Sequence, residues 1–284
     1  MKNLFLPLAL VFIMYSCKRD DAGQYSFFVA GHTYGAPMAD NQGLHPPFTS
    51  EFDKLNNDNR LQFGVFTGDI VRNSDTASWD AVDRQLENLH IPVYFCPGNH
   101  DTYNRELYES RNGKPYYSFT AGSDLFIVLD GSLDHWNITG DQLEFLITAL
   151  QQAESGVNNV FVFIHQLIWW DESNIFSSVK LNWPPYTPDT TNYWAVIEPM
   201  LQHLSAPVYI FAGDLGASTK ASPVMYYPDR NITYIGSGMG SIVADNYIIV
   251  TSGPGRTVSF ELIAPGNDPH KLGNLEDHLL SGSP

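Results

Sequence analysis

Short, continuously apolar runs that stop at a glycine and a polar side chain constrain this fold more than any other feature of the chain. Residues 63–67 run into Gly68-Asp69, and residues 93–96 run into Pro97-Gly98-Asn99-His100-Asp101. Several such runs are continuously apolar, as strands covered on both faces should be. The run at 63–67 extends back to Leu61, further strand-like runs fall at 25–30, 125–129, 160–164 and 208–212, and the pattern turns to β again from Tyr226, at 232–235, 247–251 and 258–263. Between them lie segments of helical period. Residues 78–90 carry Trp79, Val82, Leu86 and Leu89, with Ser78 as the expected cap. A second helix starts at Thr139, with Thr139 and Gln142 expected to form a capping box and Gly156 to end it. Residues 192–204 are helical in period but contain Pro199, which predicts a kink or a late start. The alternation defines an α/β chain with a β-rich second half, suited to two stacked sheets flanked by helices.

The ends read differently. Lys2 and the apolar run 4–13 form a secretory leader too short to span a bilayer comfortably, and Ser16-Cys17 closes it. Met14 is a poor residue for an ordinary cleavage site. Cleavage ahead of a lipid-modified Cys17 fits better and is similar to a bacterial lipoprotein. The expected organisation is a signal peptide at 1–16, a tether at 17–24, one domain at 25–265 and a loosely attached polar tail at 266–284. The protein is then expected in the cell envelope, periplasmic or surface-exposed, tethered to a bacterial membrane by its lipid. Removal of 1–16 takes away one lysine and no acid, changing the formal charge from −16 to −17. So acidic a surface repels phosphate backbones, and nucleic acid is excluded as a partner. With Cys17 lipidated, Cys96 alone remains and reads as buried filler, so no disulfide framework is expected.

A carboxylate, a carboxamide and imidazoles at the mouths of buried strands form a donor set for a divalent cation at one sheet edge. Gly68-Asp69, Gly98-Asn99-His100-Asp101 and His165 after the run 160–164, in that order, resemble the calcineurin-like metallophosphoesterases. The resemblance implies a four-layer α/β/β/α sandwich with a two-metal site on loops at the strand ends. Two corners depart from it. Where the family has Asp-x-His after its first strand, this chain has His32 and Tyr34. Where the family has Gly-His-x-His, it reads Gly213-Asp214-Leu215-Gly216. What these departures leave of the family's two-metal site implies one ion (manganese, iron or zinc) held by Asp69, Asn99, His165 and Asp214. It implies a second position, left with Asp69, His32 and Tyr34, that holds an ion weakly or not at all. His45 or Asp171 could complete that second position.

The implied reaction is hydrolysis of a phosphate mono- or diester, carried by a small molecule or a headgroup, through a metal-activated water. His100 stands beside the leaving oxygen, Asp101 orients its imidazole, and His32 is a further orienting group. The stretch 167–192 holds Trp169, Trp170, Asp171, Trp183 and Tyr186, and reads either as a substrate wall or as a cover over the core. Two rival readings stay open. One is a retired enzyme of this fold that serves as a binding or scaffolding protein; the other is a relative acting on a different ester or an anhydride.

Overall fold

Each apolar run read as a strand forms one in a computed structural model that describes residues 23–39, 42–154, 156–182 and 191–281. In chain order the elements are β1 (Tyr25–Ala30), α1 (Pro46–Thr49), α2 (Phe52–Asn57), β2 (Leu61–Thr67), α3 (Thr76–Leu86), β3 (Val93–Cys96), α4 (Arg105–Asn112), β4 (Tyr117–Ala121) and β5 (Asp124–Val128). They continue with α5 (Gly140–Glu154), β6 (Val160–Ile164), a π-helical turn (Tyr193–Ile197), α6 (Glu198–Gln202), β7 (Val208–Ala212), β8 (Val224–Asp229), β9 (Ile232–Ser237), β10 (Tyr247–Gly253) and β11 (Thr257–Ile263). Cys17, Trp183 and Tyr186 lie outside the described residues.

Two mixed sheets result, one ordered β11-β10-β1-β2-β3 and the other β4-β5-β6-β7-β9-β8. Strands β1, β2 and β3 run parallel, as do β5, β6, β7 and β9; antiparallel strands close the outer positions. The alternation within a strand decides which layer each residue enters. Phe27 and Phe63 from the first sheet meet Phe126, Phe161 and Phe163 from the second, with Phe27 stacked on Phe63 at 5.1 Å and edge-on to Phe126 at 5.2 Å. The opposite faces are covered by helices. Phe28 and Phe66 pack with Phe48, Trp79 and Tyr108 under α1–α4. Val160, Val162 and Ile164 pack with Leu146, Ala149 and Leu150 of α5. This is the expected four-layer arrangement.

Several local expectations are corrected by tertiary contacts. The cap of α3 is Asp75, whose carboxylate accepts from the Ser78 amide at 2.8 Å. Gln142 does not close a capping box: its buried amide bonds both backbone groups of Asp130, at 2.7 and 3.0 Å. The segment with Pro199 starts as a π turn and becomes α-helical at Glu198, where the proline falls in the first turn and costs no internal hydrogen bond. The described part of the tail, 266–281, is docked rather than loose. Leu275 is fully buried between the sheets, Leu279 bridges to Tyr226, and the Gly266 amide donates to Glu51. Cys96 is buried, its thiol directed at the Leu129 carbonyl. Among the described residues no helix is long and apolar enough to cross a membrane.

Candidate active site

The loops after β1, β2 and β3 meet those after β6, β7 and β9 at one edge of the sandwich, and glycine permits the approach. A Cβ on Gly213 would lie 1.9 Å from the Thr67 carbonyl oxygen, and one on Gly68 would lie 2.5 Å from the His165 ring. No other residue lets these strand ends close on one another. His32 and Asp69, the first polar residues on their loops, both adopt left-handed backbone at φ 52°. Such strain in non-glycine residues is held by the surrounding structure, and the Gly68 and Asp69 carbonyls take the amides of His32 and Tyr34 at 3.1 and 3.0 Å.

Asp69 is the centre of the arrangement. Its Oδ2 lies 3.4 Å from His32 Nε2, its Oδ1 lies 3.3 Å from His165 Nε2, and Oδ1 also accepts the His100 amide at 3.1 Å. His165 faces a second carboxylate, Asp214 Oδ1, at 3.8 Å. All four side chains are buried. Because a carbonyl can only accept, the 2.9 Å bond from His165 Nδ1 to the Thr67 carbonyl fixes the proton on Nδ1 and turns Nε2 towards the two carboxylates. That buried Nε2 has no aligned hydrogen-bond partner, and neither does His32 Nδ1. Asp214 is steadied by Asn182 Nδ2 at 2.8 Å, and the Asn182 carbonyl accepts the Ala217 amide.

Charge at this centre is uneven. Burial depresses the His165 imidazole, but Asp69 and Asp214 outweigh it and lift the pKa to about 10. Burial would raise Asp69, yet His165, His100 and His32 hold it well below the ordinary carboxylate range. Burial lowers His32 to about 4 against the pull of Asp69, so His32 is neutral. Burial also raises Asp214. Among the described residues no group of three or more His, Cys, Asp or Glu side chains stands as a ready-made cage for a cation. The donor chemistry nonetheless fits one divalent ion. The orphaned Nε2 of His165 and the oxygens of Asp69 and Asp214 lie a few ångströms apart, and an ion can take the place of the His165 proton. Asn99 follows on the adjoining loop, half-buried. The second position is poorer in donors, since Gly216 offers no side chain where the family has a histidine; without a cation, burial with nearby Asp69 and Asp214 raises the Tyr34 phenol.

The other expected site residues divide. Tyr34 is buried with its ring 4.4 Å from His32 and 5.0 Å from His100, as part of the site wall. His100 Nδ1 donates to the Arg72 carbonyl at 2.7 Å, leaving Nε2 for other partners. The role expected of Asp101 thus belongs to Arg72: Asp101 instead accepts the amides of Ile70, Val71 and Gly98 at 2.8, 3.0 and 2.7 Å and ties two site loops together. His45 is taken by Asp245, at 2.7 Å. Trp169 is no substrate wall; it is fully buried against Phe176, Tyr193 and Tyr234. Trp170 packs beside it with Nε1 donating to the Val179 carbonyl, and Asp171 binds its neighbour Ser173. The described part of 167–192 covers the outer face of the second sheet. Sequence reasoning missed Asn182 and Arg72; Arg72 stands three residues beyond Asp69, outside the Gly68-Asp69 pair.

A double-sheet sandwich with carboxylates and histidines gathered where parallel strands end defines the class. The chain belongs to the calcineurin-like phosphoesterase family, whose sequence profile matches residues 38–214, more than half of its length. A Fibrobacter succinogenes protein described as a probable cyclic nucleotide phosphodiesterase is 27% identical over 113 residues, covering 37% of this chain and 41% of that protein. The purple acid phosphatase PPD1 of yellow lupin (Lupinus luteus) shares the fold, with a TM-score of 0.61 at 13% identity over 86% of this chain and 52% of the plant enzyme. The chain thus matches about half or less of the length of these relatives.

Proposed function

We propose that this protein is a metal-dependent phosphoesterase of the cell envelope that hydrolyses a phosphate mono- or diester with one divalent ion held by Asp69, His165, Asp214 and Asn99. The observation that carries the reading is the buried Nε2 of His165, which lacks an aligned hydrogen bond and lies 3.3 Å from Asp69 Oδ1 and 3.8 Å from Asp214 Oδ1. A divalent ion bound there would acidify a water molecule and draw charge from the phosphoryl oxygens. The chain's own residues do the rest. Thr67 holds the His165 tautomer through its carbonyl, and Asn182 sets the angle of Asp214. His100, anchored through Nδ1, can hand a proton from Nε2 to the leaving oxygen when its ring is charged. His32, neutral beside Asp69, can accept or orient a water proton. The family favours phosphoester chemistry, and the name of the Fibrobacter relative favours a diester. The apolar leader and Cys17 support the envelope location and the lipid anchor.

The test is hydrolysis of 4-nitrophenyl phosphate, bis(4-nitrophenyl) phosphate and 4-nitrophenyl acetate by protein supplied with manganese, iron or zinc. One phosphate ester should be cleaved, the acetate spared and the activity removed by chelator. His100→Ala should lower kcat about 100-fold at unchanged ion content. An ion-loaded protein that cleaves neither phosphate ester would overturn the proposal and leave the binding-protein reading in its place.

A further inference from the structure

Bringing a phosphate ester to this edge places its negative charge near three buried carboxylates, Asp69, Asp101 and Asp214. One divalent ion shared by Asp69 and Asp214 is largely neutralised by them, so a phosphate dianion needs a further cation. The described arginines are mostly spoken for or remote. Arg60, Arg105, Arg111 and Arg230 are ion-paired, Arg84 is exposed on α3, and Arg256 caps the Ser205 carbonyl. Arg72 is different. It is half-buried, three residues beyond Asp69, and makes no salt bridge among the described residues in a chain with 31 acidic side chains. Its backbone carbonyl anchors His100, and its Nη1 donates to the Ala39 carbonyl at 2.6 Å, reaching from the loop after β2 to the loop after β1. A guanidinium carries five N–H donors, and this is the one bond Arg72 makes through its side chain among the described residues.

We infer that Arg72 is a substrate-binding residue whose guanidinium grips the phosphoryl oxygens of the ester and of the phosphate product, supplying at this site the positive charge that a single ion leaves wanting. The inference rests on the phosphoesterase reading above. A planar, permanently charged fork held at one corner by a carbonyl suits two oxygens of a phosphoryl group, whereas a lysine would offer a point charge only. The backbone carbonyl that fixes His100 is kept by any substitution at Arg72, so the two roles separate.

The experiment compares wild-type protein with Arg72→Gln, Arg72→Lys and, as a control, Arg84→Gln. It measures kcat and KM on the ester cleaved above, competitive inhibition by inorganic phosphate, ion content and melting temperature. Arg72→Gln should raise KM and weaken phosphate inhibition about 10- to 100-fold, with Arg72→Lys between the two and ion content unchanged. Arg84→Gln should match wild type throughout. Phosphate inhibition and KM at wild-type values in Arg72→Gln, with hydrolysis intact, would overturn the assignment and leave the function standing. A wild-type protein that neither hydrolyses the ester nor binds phosphate would remove both. Should Arg72→Gln not fold, Arg72→Lys decides: KM and phosphate inhibition identical to wild type would count against a bidentate grip.

Discussion

Replacing Asp101 by alanine separates a bracing carboxylate from a catalytic one. Asp101 is fully buried and accepts three backbone amides, from Ile70, Val71 and Gly98. Leaving those donors unmet costs about 1–3 kcal/mol each, and partial collapse or an entering water brings the sum to roughly 4–5 kcal/mol. Against this stands the cost of the buried charge. Burial, together with Asp69, pushes the Asp101 carboxyl from 3.8 up to about 6, which corresponds to about 3 kcal/mol of destabilisation at neutral pH. The net loss in Asp101→Ala at pH 8 is therefore about 1–2 kcal/mol. The direction with pH follows from the raised pKa. The stability this group confers is complete below its ordinary pKa and is lost as pH rises through about 6. Wild type thus gains on the variant as pH falls, by about 1.4 kcal/mol between pH 8 and pH 5. Urea unfolding of chelator-treated protein at the two pH values measures both quantities. A variant as stable as wild type, or a difference indifferent to pH, would refute the bracing role, most of all if kcat nevertheless collapsed.

Two further outcomes follow from the same structure. Trp169→Ala should lose about 3–5 kcal/mol in urea unfolding while the folded fraction keeps its KM; an unstable protein is expected, and a changed KM on a fully stable one would return Trp169 to the substrate wall. Ile242 is a β-branched residue at φ 66° with its side chain two-thirds exposed, so Ile242→Asn should relieve strain at little cost in burial. A gain of about 1 kcal/mol, or roughly 2–4 °C in Tm, is expected in a thermal melt, and a clear loss would contradict the strain argument.

Legibility in the sequence followed burial. Strands covered on both faces are mostly apolar, β6 and β7 throughout and β1 and β2 but for Ser26, Gln62 and Thr67, so all four stood out with their boundaries. The half-exposed edge strand β4 and the polar helix α4 had no such signature, and their places come from pairing with β5 and from burying Tyr108 against Trp79. Asp69, His165, Asp214 and His32 were legible because each immediately follows a buried strand, where chain direction alone delivers side chains to one edge. What was not legible depended on partners distant in sequence. Nothing local distinguishes an Asp101 that orients His100 from one that ties Gly98 to Val71, or a Trp169 in a pocket from one packed on Tyr234. Asn182 acquires its role only because the second sheet's outer loop returns to Asp214.

Catalysis at this edge turns on whether His165 Nε2, Asp69 and Asp214 hold an ion. The direct measurement is elemental analysis of residues 18–284, equilibrated with manganese, iron and zinc and freed of excess, beside His165→Ala and Asp214→Ala. One tightly held ion per chain in the wild type, lost from both variants while their folds persist, is the predicted result. A wild-type chain without metal, or an ion that stays when His165 is removed, would contradict it.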